Sequence, residues 1–132
     1  MSRAYLLDTC AFLKAVTNEG KDLGREARRL ILNSSNHCLL STVSIAEIGI
    51  LESVGRLRIS AMSLRQLAED LDVMILPYQA NHALRYFSLP PPEETHRDPH
   101  DRMLIATALT EQIPILTSDT EFKKYAGLKV IW

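Results

Sequence analysis

Long apolar runs are absent from this sequence of 132 residues. A membrane-spanning helix needs about 20 consecutive apolar residues, whereas the apolar segments here are short and interrupted by charge. The first ten residues, MSRAYLLDTC, also lack the apolar stretch and small-residue cleavage site of a secretion signal. We therefore expect no membrane span and no export, which makes the cytoplasm the expected location.

Cysteine is scarce, since only Cys10 and Cys38 are present. Both have apolar neighbours in the sequence, and a reducing compartment disfavours a disulfide between them. We expect two buried free thiols without a chemical role.

A basic surplus is missing too, because the formal net charge is −1. Nucleic-acid-binding proteins usually carry excess Lys and Arg that replace counterions on phosphates, so composition alone does not indicate such a partner. The sequence also has no glycine-rich phosphate loop, which argues against a nucleotide-binding ATPase.

The chain has the length of one ordinary domain, and 46% of its residues are hydrophobic, enough for a real core. Strand-like and helix-like segments alternate along it, which predicts an α/β fold with a mostly parallel sheet covered on both faces. The candidate strands are AYLLD, HCLLS, VMILP, PILTS and LKVIW. The candidate helices cover residues 22–33, 43–54, 62–71 and 99–112, with a further helix beginning near Cys10.

Two aspartates follow candidate strands, at the edge where ligands bind in open α/β sheets. Asp8 ends the first strand, although it could equally cap the next helix. Asp119 follows ILTS, and we expect Ser118 to cap the helix after it, with Glu121 completing a capping box. Asp119 would then have no structural duty and be available for chemistry.

Two further acids lie near helix starts. Glu47 is expected in the first turn of the helix after HCLLS, although Ser44 and Glu47 also have capping-box spacing. Asp98 followed by Pro99 is typical of an N-cap and first helical position, which places Asp101 in the first turn. The helix macrodipole alone would favour an acid there.

The histidines give a weaker signal. His96 and His100 are four residues apart, but Pro99 lies between them where the helix should start, so a zinc pair on one helical face is not expected. We expect both to face solvent or the loop. His37 and His82 have no clear partner in the sequence.

Together, the four acids should meet at one edge of one sheet. Carboxylates crowded in one place repel each other unless a cation neutralises them, and an all-oxygen set suits Mg²⁺ or Mn²⁺ better than zinc. Removing four negative charges from a net −1 leaves +3 on the rest of the chain. The pattern therefore favours metal-assisted phosphodiester hydrolysis. Asp8 and Asp101 are the strongest ligand candidates, Asp119 and Glu47 would complete the shell, and Thr9 and Ser118 are nearby hydroxyl donors.

The segments LLDT, SIAEI, HRDPHDRMLIATAL and ILTSD occur in this order, and in this the sequence resembles the PIN-domain ribonucleases, specifically VapC-type toxins of toxin–antitoxin pairs. The resemblance spans almost the whole chain. It implies a single PIN domain over residues 1–132, a three-layer α/β/α sandwich that is usually homodimeric. It also implies an acidic quartet around Mg²⁺ or Mn²⁺, formed by Asp8, Glu47, Asp101 and Asp119.

The activity implied by the resemblance is endonucleolytic cleavage of structured RNA, such as tRNA or rRNA, which inhibits translation and is itself inhibited by a cognate antitoxin. Two positions depart from the family pattern: Ala46 replaces a common aromatic residue, and His100 stands where Phe is common. Neither change removes a ligand. Arg102 is expected to contact an RNA phosphate, or to pair with Asp98 or Glu94.

Two other functions fit parts of the pattern. A small phosphatase could use Asp8 as nucleophile, but such enzymes typically have a second acid two residues later, where this chain has Cys10. A non-catalytic binding module could use the acids only to cap helices. It predicts no stabilisation by metal, whereas a metal site stabilises the folded form by mass action.

Overall fold

The computed structural model describes residues 3–95 and 97–132. Within them lies a five-stranded sheet of order β3-β2-β1-β4-β5, in which every neighbouring pair is parallel. The strands are β1 (Ala4–Leu7), β2 (His37–Ser41), β3 (Val73–Leu76), β4 (Ile115–Leu116) and β5 (Val130–Ile131). All five coincide with candidate strands of the sequence, so the predicted parallel α/β fold is confirmed.

Six α-helices of the described residues connect and cover the strands. They are α1 (Thr9–Ala15), α2 (Arg25–Leu32), α3 (Thr42–Ser53), α4 (Ala61–Asp70), α5 (Ala80–Tyr86) and α6 (Pro99–Glu111). Short 3₁₀ helices cover Asn18–Gly20 and Thr120–Lys124. Among these, α5 has no counterpart in the sequence prediction. None of the described helices combines the length and apolar character that crossing a membrane requires.

Both faces of the sheet are buried, as the near-continuous apolar strands require. Side chains of successive strand residues point to opposite faces. On β1, Leu7 accordingly packs in a cluster with Phe12 of α1, whereas Leu6 packs in a second cluster with Leu104 and Ile105 of α6. The sheet is therefore the middle layer between helices.

The register brings the carboxyl ends of the strands together. Leu7, the last residue of β1, pairs with Leu40 of β2 on one side and Leu116 of β4 on the other. Because β1 is the central strand, the residue that follows it emerges in the middle of the sheet edge. That residue is Asp8.

The two cysteines differ from the expectation in one respect. Cys38 is buried and its pKa is raised to about 11 by burial, but Cys10 is exposed rather than buried. Cys10 is the second residue of α1, where its side chain lies outside the apolar face formed by Ala11 and Phe12. Its pKa is also raised, mainly by partial burial and then by Asp8 and Glu47, so neither thiol is an activated nucleophile.

His82 has partners that the sequence did not reveal. It is fully buried, its Nδ1 accepts a hydrogen bond of 3.0 Å from the Gln79 N–H, and its Nε2 lies 2.6 Å from Glu111 Oε1. It thus ties α5 to the next helix, α6, through residues that are 29 positions apart. The expectation that His82 lacks a partner was wrong.

Gly24 is needed for a close approach between α2 and the last described residue. A Cβ at Gly24 would lie 2.5 Å from the carbonyl carbon and Cδ1 of Trp132, and the Trp132 carbonyl accepts hydrogen bonds from Glu26 N–H and Ala27 N–H. We expect Gly24→Ala to destabilise the fold by about 1–3 kcal/mol through this overlap.

Gly49 provides the matched control, because a Cβ there meets nothing within 4 Å and the residue lies inside α3. Gly49→Ala should stabilise the fold by about 0.5–1 kcal/mol by restricting the unfolded chain. Urea unfolding of both variants measures the difference. Equal midpoints for the two variants would contradict the close packing of Trp132 on α2.

Candidate active site

Asp8 performs the capping role that sequence reasoning left open, and it also faces other acids. Its Oδ1 accepts a 2.7 Å hydrogen bond from the Ala11 N–H at the start of α1, and the residue is only 6% exposed. Burial raises the pKa of Asp8, hydrogen bonds from Thr117 and Ala11 lower it, and repulsion from Asp119 and Glu47 raises it further. The capping role of Asp8 does not explain why the carboxylates of Asp119 and Glu47 also lie within electrostatic range of it.

The start of α6 is built as predicted. Asp98 is the N-cap and its Oδ1 accepts from the N–H groups of His100 (2.9 Å) and Asp101 (3.3 Å), while Pro99 occupies the first turn together with Asp101. Burial, followed by repulsion from Asp98, Asp8, Glu47 and Asp119, raises the pKa of Asp101 to about 7. The carboxylate of Asp101 therefore lies among all the other acids of this edge.

Glu47 is not in the first turn of its helix, contrary to expectation. Ser41 is the N-cap of α3, accepting a 3.0 Å bond from the Val43 N–H, so the helix begins one residue earlier than predicted and Glu47 lies in its second turn. Ser44 is not a cap, because its buried hydroxyl instead accepts a 2.9 Å hydrogen bond from Thr9. The capping-box alternative for Glu47 is therefore wrong.

Asp119 also differs from the prediction. It is the N-cap of the 3₁₀ helix Thr120–Lys124, and its Oδ1 accepts a 2.9 Å bond from the Glu121 N–H. The expected cap, Ser118, is exposed. Asp119 thus has the structural duty that the sequence assigned to its neighbour, while it still contributes repulsion to Asp8 and Asp101.

Thr117 links two of these acids and was missed by sequence reasoning. Its buried hydroxyl accepts a 3.0 Å bond from the Asp119 N–H and hydrogen-bonds the Asp8 carboxylate. A threonine inside an apolar strand-like run gave little signal, because threonine is also common in strands for steric reasons.

His100 points into the site instead of facing solvent or the loop. Its Nδ1 lies 3.9 Å from Glu47 Oε2 and 3.8 Å from Asp98 Oδ1. These three residues offer ligand atoms that all lie within 4.8 Å of one another. His96 was also expected to face solvent or the loop. His96 lies outside the described residues.

Arg102 does not have either of the contacts expected for it. It is only 3% exposed, too buried to reach an RNA phosphate. Its guanidinium donates to the hydroxyls of Thr95, Tyr86 and Tyr125 and to the Pro90 carbonyl, at distances of 2.9–3.3 Å. Arg102 therefore holds the loop before α6 and is not part of the acidic site.

The chemistry of this edge follows from its charge. Asp8, Glu47, Asp98 and Asp119 all raise the pKa of Asp101 by repulsion, so the ionised cluster is destabilising unless a cation is bound. Carboxylate oxygens are the donors that Mg²⁺ and Mn²⁺ prefer. The donor set therefore fits a hard divalent cation.

The raised pKa of Asp101 predicts how stability depends on pH in chelator-treated protein. Between about pH 4 and pH 7 the folded chain keeps a proton that the unfolded chain releases, so the free energy of unfolding falls as pH rises through this window. After allowing for solvent screening of a partly exposed group, we expect a loss of about 2 kcal/mol. Asp101→Asn should remove most of it.

Urea unfolding at pH 4.5 and pH 8 checks this for wild type and variant. Saturating Mg²⁺ should restore stability at pH 8 in the wild type, because the cation binds only the folded form. A wild type and an Asp101→Asn variant with the same pH dependence would contradict the assigned environment of Asp101.

Comparison with known proteins identifies the class. The family model described as "PIN domain" matches residues 5–128, and the chain belongs to this family. No curated protein sequence matches it.

Several solved structures have the same fold as this chain. The chain is similar to chains in the crystal structure of VapBC2 from Rickettsia felis bound to a promoter DNA fragment (18% identity, TM-score 0.71, 97% of each chain covered). It is also similar to DNA-bound VapBC from Salmonella typhimurium (19% identity, TM-score 0.68, 97% of this chain and 96% of the other). A third is Mycobacterium tuberculosis VapC20, described as a sarcin-ricin loop cleaving toxin (17% identity, TM-score 0.61, 95% and 98%).

Proposed function

We propose that this chain is a metal-dependent endoribonuclease and the toxin of a type II toxin–antitoxin module. The observation that carries the proposal is the convergence of Asp8, Glu47, Asp101 and Asp119, which come from four separate parts of the sequence and repel one another at the carboxyl edge of the sheet. Membership of the PIN family supports a nuclease over the other functions. We further propose that residues 1–132 act as one PIN domain.

In this proposal Asp8 and Asp101 hold Mg²⁺ or Mn²⁺, and Asp119 and Glu47 complete the shell or orient water. A cation held by these residues would lower the pKa of an attacking water and would neutralise charge on the scissile phosphate. Other residues of the chain position these acids relative to one another. Thr117 fixes Asp8 relative to Asp119, while the buried Thr9–Ser44 pair fixes the start of α1 against α3.

The phosphatase alternative is less well supported. The Asp8 carboxylate accepts two hydrogen bonds and is almost fully buried, which leaves little access for in-line attack on a phosphate. Position 10 carries a thiol where a second acid would be needed. A purely structural role for the acids leaves the mutual repulsion around Asp101 unexplained.

An antitoxin is the proposed partner, and RNA in the cytoplasm is the proposed substrate. VapBC complexes are among the solved structures with this fold. The chain also presents an apolar groove of about 420 Å³ beside α1 and α4, of the kind that accepts an amphipathic helix. Its apolar lining comprises Leu13, Val16, Leu57, Ile59 and Leu67.

A homodimer is also proposed, because α5 exposes large apolar side chains. Leu84 is 68% exposed and Phe87, which directly follows the helix, is 88% exposed, an arrangement more typical of an interface than of a monomer's surface. We expect Phe87→Asp to shift the sedimentation coefficient from dimer to monomer at micromolar concentration. Met62→Asp, which changes a residue 84% exposed on α4, is the control and should remain dimeric. A monomeric wild type would contradict the proposal.

Cleavage of total RNA by the purified chain tests the function. With Mg²⁺ or Mn²⁺, sequencing of new 5′ ends should reveal discrete cuts in structured RNA, and chelation should abolish them. Absence of cuts with folded, antitoxin-free protein in both metals would overturn the nuclease proposal.

A further inference from the structure

We infer that His100 Nδ1, together with the carboxylates of Glu47 and Asp98, binds a second divalent cation of the transition-metal type, such as Mn²⁺. This goes beyond the four-acid site and rests on the proposed function only in that Glu47 is shared between the two. Neither Asp98 nor His100 belongs to the acidic quartet.

The geometry of the three side chains is the first support. Nδ1 of His100 lies 3.8 Å from Asp98 Oδ1 and 3.9 Å from Glu47 Oε2, and all three ligand atoms lie within 4.8 Å of one another. Both distances are longer than the donor–acceptor distance of a hydrogen bond. Ligands bound at about 2.1 Å to one ion stand roughly 3.0–4.2 Å apart, depending on geometry. The observed spacing therefore needs little adjustment to bind one ion.

The charge of the edge is the second support. The carboxylates of Asp8, Glu47, Asp98 and Asp119 all lie in electrostatic range of the Asp101 carboxylate, so this edge of the sheet gathers five acids. With all five carboxylates ionised, their net charge is −5. One bound divalent cation changes it to −3, and a second changes it to −1. The positive end of α6 opposes a cation weakly, but the two carboxylates that face His100 outweigh it.

The donor set determines the choice of ion. An imidazole nitrogen with two carboxylate oxygens favours a first-row transition metal over Mg²⁺, which prefers oxygen ligands and retained water. The polypeptide positions of these donors are fixed independently, because Glu47 lies on α3 whereas Asp98 and His100 lie at the start of α6. Binding would thus link α3 to α6.

Counting bound Mn²⁺ tests the inference without any measurement of activity. The chelator-treated chain is titrated with Mn²⁺ while free Mn²⁺ is followed by electron paramagnetic resonance. We expect two bound ions in the wild type and one in His100→Phe, or a dissociation constant for the second ion that rises about tenfold or more. His37→Phe is the matched control, since His37 is exposed at the start of β2, on the opposite edge.

The variants separate this inference from the proposed function. Asp8→Asn should weaken the four-acid site and leave the ion at His100. A wild type that binds one ion, lost in Asp8→Asn and kept in His100→Phe, would overturn the inference and leave the nuclease proposal intact. A wild type that binds no Mn²⁺ would overturn both.

Discussion

Asp8→Asn is expected to reduce RNA cleavage by about 10²–10³-fold or more, because it removes charge from the group proposed to hold the metal and stabilise the transition state. Asparagine is the informative replacement. Its side-chain oxygen can still accept the bond from the Ala11 N–H that Asp8 accepts at 2.7 Å, since Asn caps helices as well as Asp does. The loss should therefore reflect chemistry and not the start of α1.

Three measurements separate these effects. Cleavage is compared at saturating Mg²⁺, unfolding is followed in urea without metal, and the shift of Tm on adding Mg²⁺ reports binding. Asp8→Asn should unfold at the same or higher urea concentration than wild type, because a buried charge facing Asp119 and Glu47 is removed. Asp70→Asn, at the end of α4 on the opposite edge, should behave as wild type in all three. Retained cleavage in purified Asp8→Asn would refute the metal role.

The sheet was predictable from sequence because its strands carry their own signal. Each is a short apolar run bounded by polar or turn residues, and Pro114 and Gly55 mark where helices must have ended. The helix α5 was missed for the complementary reason. The buried residue of α5 is a histidine, His82, that contacts Glu111 on α6, so this helix has no apolar periodicity in its own sequence.

The convergence of the four acids could be predicted for a different reason: the topology of a parallel sheet brings the carboxyl ends of its strands, and the helix starts that follow them, to one edge. The local surroundings of these acids could not be predicted from the sequence. Ser118 and Asp119 are adjacent and both are good caps, so sequence could not decide which one begins the 3₁₀ helix, and the structure selects Asp119. The prediction for His100 was wrong because the fold places it beside Glu47, 53 positions earlier in the chain, and the local sequence does not reveal that contact.

Arg102 is the clearest example of a residue whose surroundings could not be predicted from the sequence. It is also the subject of the second large prediction. An arginine directly after an acidic motif was expected to meet phosphate or a carboxylate, yet it is buried and donates to three hydroxyls and one carbonyl. Arg102→Met keeps much of the volume and removes every donor. We expect a loss of about 3 kcal/mol in the free energy of unfolding, because several partly buried acceptors lose their donor at once.

The effect should be concentrated in the loop before α6, since Arg102 binds Pro90 and Thr95 within it. Limited proteolysis should therefore cut Arg102→Met in residues 88–95 faster than wild type, in addition to the lower urea midpoint. Arg65→Met is the control, because Arg65 is exposed on α4 and its replacement should change stability by no more than about 0.5 kcal/mol. Arg102→Lys should fall between them, because an ammonium keeps the charge but cannot reproduce the planar fork that reaches four acceptors. If Arg102→Met and Arg65→Met unfold at the same urea concentration, the hydrogen bonds of the Arg102 guanidinium do not hold the loop before α6.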